Sequence, residues 1–254
     1  MNAIILAAGS GIRLDKHTKD IPKVLVDING KSILERQISL LKSHGINDIT
    51  VVTGYKKEKF TIGDLEYIFN PKYSETEQLT SMMTARRKIS GDVLIIFGDI
   101  IFDDQILEQI LSSNDDIVVA IDLDWEKSYE ERSDNPKEIA DKVLIQQKKV
   151  IQISAKEIPL GSKNKVGEFL GLIKLSATGS KTIIKKYEQL EKSYTGKFHD
   201  AISLKKAKLV DILQELIDSR VEISPLIING KWCEIDTPND LERARRIFKN
   251  TEPR

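Results

Sequence analysis

One cysteine in 254 residues, Cys233, excludes an internal disulfide and fits a reducing cytosol. Three scattered histidines, His17, His44 and His199, do not combine with that single thiol into a zinc site. Neither sign of charge is in excess: Lys and Arg total 39, and Asp and Glu total 39. A dedicated nucleic-acid or membrane-surface binder carries a basic excess or stripe, so the balance argues against both. It leaves room for a local basic pocket around a small phosphate compound. No apolar run reaches the ~18–20 residues of a membrane span. The N-terminal apolar run, residues 3–8, is too short for a signal peptide and lacks a basic leader. No repeat, low-complexity tract or Gly-, Pro- or Ser-rich linker breaks the chain, so one domain over residues 1–254 is expected. Hydrophobic residues make up 40% of it, enough for a sizeable core.

What is present reads as alternating strands and helices. Residues 3–8 are a short, continuous apolar run cut by glycine, the mark of a buried strand. Ser32 and Glu35 form a capping-box signature, and Gly45 sits where a C-terminal glycine cap belongs. Residues 49–53 are a second strand, so the opening is a βαβ unit with a parallel sheet and a right-handed crossover. Further strands are expected at 92–97, 117–121, 142–146, 150–154, 169–174, 222–228 and 232–235, with helices at 105–112, 181–191 and 207–219. Thr237, Pro238 and Asp240 start a last helix, with Thr as N-cap and Pro at the first helical position. The polar stretch 122–142 reads as a long loop or lid over one face.

A strand running into Gly9, Ser10 and Gly11 places successive backbone amides around a concave turn, which suits phosphate. Two better-known loops fail here. The dinucleotide fingerprint needs glycine at position 14, where Leu14 stands; this also disfavours a nicotinamide dehydrogenase. A P-loop ending in Gly30, Lys31 and Ser32 needs glycine at position 25, where Leu25 stands. Gly-x-Gly-x-Arg remains, followed by Pro22 and Lys23. Arg13 and Lys23 are two cations able to close on a triphosphate held by the nest. On spacing alone, a plain tight turn explains the loop equally well.

Leu6-Ala7-Ala8-Gly9-Ser10-Gly11-Ile12-Arg13-Leu14, then Pro22-Lys23, resembles the signature of the nucleotidyltransferase superfamily that activates sugar phosphates and small phosphorylated alcohols. The resemblance implies a three-layer α/β/α, Rossmann-like fold with a mixed, mostly parallel sheet and a lid or insertion at about 122–142. It implies that the loop and strand end (Leu6, Ala7, Ala8, Gly9, Ser10, Gly11) wrap an NTP triphosphate, with Arg13 and Lys23 neutralising it. Phe97-Gly98-Asp99 resembles the family's Gly-Asp at a strand end, where Gly98 lies by the nucleotide and Asp99 holds Mg2+. The segment from Trp232 to Leu241 resembles the late stretch that carries a second metal aspartate, here Asp236. Lys156, in Ile153-Ser154-Ala155-Lys156-Glu157-Ile158-Pro159, resembles the lysine that contacts the acceptor phosphate.

The implied reaction is attack by a phosphate or phosphonate oxygen of the acceptor on the α-phosphorus of the NTP, with pyrophosphate leaving. An anionic nucleophile needs no Ser, Cys or His, and catalysis becomes positioning and charge neutralisation. Mg2+ takes few carboxylates plus waters and phosphate oxygens, a role Asp99 and Asp236 suit. Glu77, Thr80 and Ser81 lie where the family reads the base. These, with Phe97-Gly98-Asp99 and Gly167-Glu168-Phe169, resemble the branch of cytidylyltransferases for phosphocholine and 2-aminoethylphosphonate. The expected partners are therefore CTP and a small phosphorylated acceptor, with a second copy of the chain as a candidate. Asp122, Asp124, Trp125 and Tyr129 gather acids and aromatics able to hold an ammonium group, and Glu168 is a further candidate pocket acid. Each also reads as an ordinary surface acid or packed aromatic. Two alternatives share these residues: a sugar-1-phosphate nucleotidyltransferase using UTP, dTTP, GTP or CTP, and a non-catalytic regulatory relative.

Overall fold

The computed structural model describes residues 1–132, 134–156, 158 and 164–249. Its strands are β1 (Asn2–Ala7), β2 (Asp27–Ile28), β3 (Lys31–Ser32), β4 (Ile49–Thr53), β5 (Glu66–Phe69), β6 (Val93–Phe97), β7 (Ile100–Phe102), β8 (Ile117–Asp122), β9 (Lys142–Gln146), β10 (Lys149–Ser154), β11 (Lys165–Leu175), β12 (Ser224–Ile227) and β13 (Trp232–Glu234). Its helices are α1 (Ile33–Ser43), α2 (Gln78–Thr84), α3 (Asp104–Ser112), α4 (Trp125–Tyr129), α5 (Ala177–Ser193), α6 (Leu209–Asp218) and α7 (Pro238–Ile247).

Nine strands form one mixed sheet. Its path runs β10-β9-β11-β6-β1-β4-β5, with β8 paired to β11 and β12 paired to β8. The half built from β6, β1, β4 and β5 is parallel, as the βαβ reading requires. Strand β11 runs antiparallel to β6, β8 and β9 and joins that half to the rest. Ala3, Ile4 and Ile5 of β1 are fully buried, which explains the continuous apolar run: a central strand has no solvent face. Burying one such isoleucine contributes about 1.5–3 kcal/mol.

Helix α1 starts as expected: the Ser32 hydroxyl accepts from the Glu35 N–H at 3.2 Å, and the Ser32 N–H donates to Glu35 at 2.7 Å. At its end Gly45 N–H bonds the Lys42 carbonyl and Ile46 N–H bonds the Leu41 carbonyl, both at 3.0 Å, closing the last turn. A second, smaller core joins Leu14 and Val26 to Ile101, Cys233, Ile235, Leu241 and Phe248. It ties the segment after β1 to β7, β13 and α7, and so underlies the candidate site.

The stretch 122–142 differs from expectation. It is not a long loop: it holds α4 and a 3-10 turn, Lys137–Ile139. Trp125, Arg132 and Asn135 within it are buried, while Ser133 lies outside the described residues. Arg132 anchors it: Nε donates to Asp240 Oδ1 at 2.6 Å and Nη2 to Glu234 Oε2 at 2.9 Å. Its polar composition masked this, because a buried arginine is compensated by partners more than a hundred positions away in sequence.

Candidate active site

Backbone pairing brings distant acids together. Gly98 N–H donates to the Leu6 carbonyl at 2.9 Å, and a Cβ there would stand only 2.6 Å from that oxygen. Glycine is what lets the turn after β6 press against β1. The buried Gln37 of α1 donates its amide to the carbonyls of Phe97 (2.9 Å) and Ile100 (2.7 Å), pinning both sides of that turn. Strand β7 then pairs antiparallel with β13, setting Ile100 opposite Glu234, and Ile235 N–H donates to the Asp99 carbonyl at 2.9 Å. Thr237 caps α7 and holds Asp236 just before it. One oxygen from each of Asp99, Glu234 and Asp236 lies within 4.8 Å of the others.

Lys23 enters this cluster. Its ammonium donates to Asp99 Oδ2 at 2.9 Å and also bonds Asp236 Oδ1. Burial alone would pull its pKa down, but Asp99, Asp236 and Glu234 together outweigh burial and hold it above the usual lysine value. Burial likewise acts to raise the Asp236 carboxyl, and Lys23 and Arg13 outweigh it, holding that carboxyl below its ordinary range. Glu234 goes the other way: burial, then the charges of Asp236 and Asp99, push it up. Arg13 also pairs with Asp236, and Arg132 with Glu234. Asp99 Oδ1 is buried with no hydrogen-bond partner among the described residues. Three hard oxygen donors and an orphaned carboxylate oxygen fit a small divalent cation.

Gly11 adopts φ +64°, and a Cβ there would lie 2.7 Å from Lys23 Cβ, so the loop and the lysine are fitted to each other. Arg13 donates to Asp236 Oδ2 at 2.8 Å and to Asn135 Oδ1 at 3.1 Å. The loop opens onto a cavity of about 680 Å3 lined by Leu6, Ala8, Gly9, Ser10, Gly11, Arg13, Lys23, Glu77, Ser81, Asp99 and Asp236. Tyr73 and Gln78, from the stretch 73–82 whose resemblance points to the base, line it too, as does Tyr55, which was not anticipated. Three residues expected at the nucleotide are not among its lining residues: Ala7 is buried in β1, Gly98 packs close to the Leu6 carbonyl and Val24, and the Thr80 hydroxyl donates to the Lys205 carbonyl at 3.3 Å.

A second chamber of about 400 Å3 shares Arg13, Glu77, Gln78, Phe97, Asp99 and Asp236 with the first, so the acid cluster sits where the two meet. Of the residues expected at the acceptor, Tyr129 and Glu168 line it; the Tyr129 hydroxyl donates to Glu168 Oε1 at 2.5 Å. Burial pushes Glu168 up to about 7. The others do not line it. Asp122 accepts from Trp232 Nε1 at 2.9 Å, and Asp124 is exposed and paired with Lys127 at 2.7 Å. Trp125 is buried edge-on against Tyr129. Lys156 pairs with Asp200 at 2.6 Å on the surface; Glu157 and Pro159 of its motif lie outside the described residues. The lysine that does line the chamber is Lys208, alongside Asp141 and Glu234. Glu234 had one sequence signal: it is two positions before Asp236, on the same face of an extended segment. Lys208 and Asp141 had none, since they meet only through the packing of α6 on β10, the strand paired with β9.

A glycine loop, Arg13 and Lys23, and a carboxylate cluster meet at the junction of two cavities. The chain belongs to the MobA-like NTP transferase family, whose model matches residues 3–189. It is similar to the CTP:phosphoglutamine cytidylyltransferase of Campylobacter jejuni, 31% identical over 253 residues, covering 95% of this chain and 98% of that one. Among solved structures it is similar to the CTP:phosphocholine cytidylyltransferase of Streptococcus pneumoniae, with TM-score 0.71 and 22% identity over 97% of this chain and 98% of that one. It is also similar to the inositol-1-phosphate CTP transferase of T. maritima, with TM-score 0.73 and 22% identity over 99% and 98%. These two likenesses support the Rossmann-like fold. Among the described residues, no helix is long and apolar enough to cross a membrane.

Proposed function

We propose that this chain transfers CMP from CTP to a small phosphorylated acceptor in a Mg2+-dependent reaction. The observation that carries the reading is Lys23, suspended between Asp99 and Asp236 where the loop cavity meets the second chamber. The amides of Gly9, Ser10 and Gly11 face the triphosphate, and Arg13 and Lys23 offset its charge. Glu77, Gln78 and Ser81 lie beside the base. Asp99, Glu234 and Asp236 would hold Mg2+, which when bound supplies charge neutralisation at the reacting phosphates. The acceptor enters from the second chamber. Its phosphate oxygen forms the new bond to the α-phosphorus, the bond to the β-phosphate oxygen breaks, and pyrophosphate leaves with that electron pair. No proton need move, which agrees with a site built from cations rather than from a base. CTP as donor is supported by the relative named CTP:phosphoglutamine cytidylyltransferase, which matches along nearly the whole chain.

A second reading takes a ring-polyol phosphate, such as a hexose 1-phosphate, as acceptor. It is favoured by the fold shared with the inositol-1-phosphate enzyme, and it needs the same triphosphate side. Pyrophosphate release across CTP, UTP, dTTP and GTP, each with amino-alcohol phosphates, phosphorylated amino acids and hexose 1-phosphates, separates the two. CTP turning over with nitrogen-bearing acceptors is the expected result. Turnover confined to a hexose 1-phosphate overturns the acceptor reading. Pyrophosphate release that survives both Asp99→Ala and Asp236→Ala overturns the metal assignment.

A further inference from the structure

The second chamber has a charge pattern beyond what phosphate alone requires. Besides Arg13 at the junction, Lys208 is the cation among its described lining residues. Lys208 precedes α6 and its ammonium meets Asp141 Oδ1 at 3.2 Å. The lysine side chain is 40% exposed and the aspartate 12%, so the cation is the accessible member of the pair. An ammonium has three donors, and Asp141 is its partner among the described residues, which leaves capacity for an incoming anion. Glu168 presents the opposite character. It is 3% exposed; Oε1 takes the Tyr129 hydroxyl, while Oε2 is buried with no hydrogen-bond partner among the described residues. A buried carboxylate oxygen left without a donor is costly, and a ligand N–H would satisfy it. A quaternary ammonium has no N–H to offer. The aromatic cage that would suit one is also compromised, because the Arg132 guanidinium already lies 4.6 Å from the centre of the Tyr129 ring.

We propose that the acceptor carries an amino-acid-type head group in addition to its phosphate, with its carboxylate read by Lys208 and its amino group by Glu168. The inference rests on the CMP-transfer reading above and deepens it. Phosphate points to the junction at Asp99 and Asp236, and the head group lies against Lys208 and Glu168. A chamber of about 400 Å3 is near the small end of ligand cavities, which run about 300–1,000 Å3, and suits a compound of that size.

Two matched pairs test this at two chain lengths: O-phospho-L-serine against phosphoethanolamine, and O-phospho-L-homoserine against 3-aminopropyl phosphate. The members of each pair differ only in the carboxylate. Pyrophosphate release is measured with each of the four NTPs for the unaltered protein, Lys208→Met and Lys208→Arg, and binding of the same compounds is measured by calorimetry. In at least one pair the carboxylate-bearing member is expected to have about 10–100-fold higher kcat/KM, the worth of one charge-assisted hydrogen bond. Lys208→Met removes that preference by losing about 10–100-fold on the carboxylate-bearing member and less than about 3-fold on the other. Lys208→Arg retains the preference, which also guards against a misfolded methionine variant. Equal kcat/KM within both pairs overturns the proposal. So does equal loss on both members in Lys208→Met, which would assign the lysine to the shared phosphate. Turnover of phosphocholine or a hexose 1-phosphate with none of the four compounds turned over or bound overturns the head-group inference and leaves nucleotidyl transfer standing. A preference seen only with an NTP other than CTP keeps this inference and sinks the cytidylyl reading.

Discussion

Replacing Arg132 with methionine tests whether the segment after β8 braces the carboxylate cluster proposed to hold Mg2+. The Arg132 side chain is 2% exposed and Asp240 is fully buried. Arg132 contacts Asp240 at 2.6 Å through Nε and 3.3 Å through Nη2, and reaches Glu234 at 2.9 Å. Asp240 Oδ2 also accepts from the Asp236 N–H at 3.1 Å, the Thr237 N–H at 3.0 Å and the Thr237 hydroxyl at 2.9 Å. One carboxylate therefore joins the arginine to the backbone that aims Asp236. Methionine fills similar volume but leaves Asp240 buried without its cation. Removing one partner of a buried ion pair costs about 3–5 kcal/mol. The bonds from Asp236 and Thr237 still satisfy one Asp240 oxygen, so the lower end, about 3 kcal/mol, is expected. At about 2–4 °C per kcal/mol for a chain of this size, the midpoint should fall roughly 6–12 °C. Loosening Asp236 and Glu234 should also weaken metal-dependent turnover about 10–100-fold, as loss of a supporting shell does. Urea unfolding followed by circular dichroism, calorimetric melting and pyrophosphate release against Mg2+ concentration measure all three. Stability within about 0.5 kcal/mol of the parent, the range of ordinary surface substitutions, would refute the brace.

Three further outcomes follow from the same geometry. Gly11→Ala forces a side chain onto a backbone at φ +64° and against Lys23 Cβ, so it should cost about 1–2 kcal/mol in urea unfolding and raise the KM for the NTP; unchanged values for both would remove the fit between loop and lysine. Glu234→Gln keeps the shape and removes one cluster charge, so turnover should fall about 10²–10³-fold and the Mg2+ needed for half-maximal rate should rise; a parent-like metal titration would free Glu234 from that role. Glu168 has its pKa pushed by burial from an ordinary 4.5 up to about 7, so between those values the folded state binds more protons than the unfolded one. Its stabilising contribution is complete below 4.5 and is lost as pH rises through 7, a change of order 3 kcal/mol. Unfolding free energies at pH 5 and pH 8 should therefore differ less in Glu168→Gln than in the parent, and an identical difference contradicts the assigned burial.

Local signals survived folding well. Residues 49–53 and 142–146 became strands with the expected limits, because each is a short apolar run bounded by turn residues. The capping residues at Ser32 and Thr237 act within three positions of themselves and were legible for that reason. The glycine loop, Lys23, Asp99 and Asp236 were legible as motifs, and β7 pairing with β13 explains why aspartates 137 positions apart share one cluster. The acceptor side was poorly legible. Lys156 was credible by resemblance and Asp124 by composition, yet both satisfy their charge on the surface, with Asp200 and Lys127. Lys208 and Asp141 carry no motif and acquire meaning only when α6 is placed beside the end of 122–142.

The two halves of the site are also mechanically joined, through groups that a sequence presents as unrelated. Arg132 holds Asp240 and Glu234 with its guanidinium and lies over the Tyr129 ring, while the Tyr129 hydroxyl holds Glu168. One chain of contacts therefore runs from Asp236 through Asp240, Arg132 and Tyr129 to Glu168. Its arginine is almost wholly buried, so solvent screens these charges little. A cation held by Asp99, Glu234 and Asp236 would compete with Arg132 for Glu234. The polar stretch 122–142 is, on this geometry, a strut between the carboxylate cluster and the second chamber.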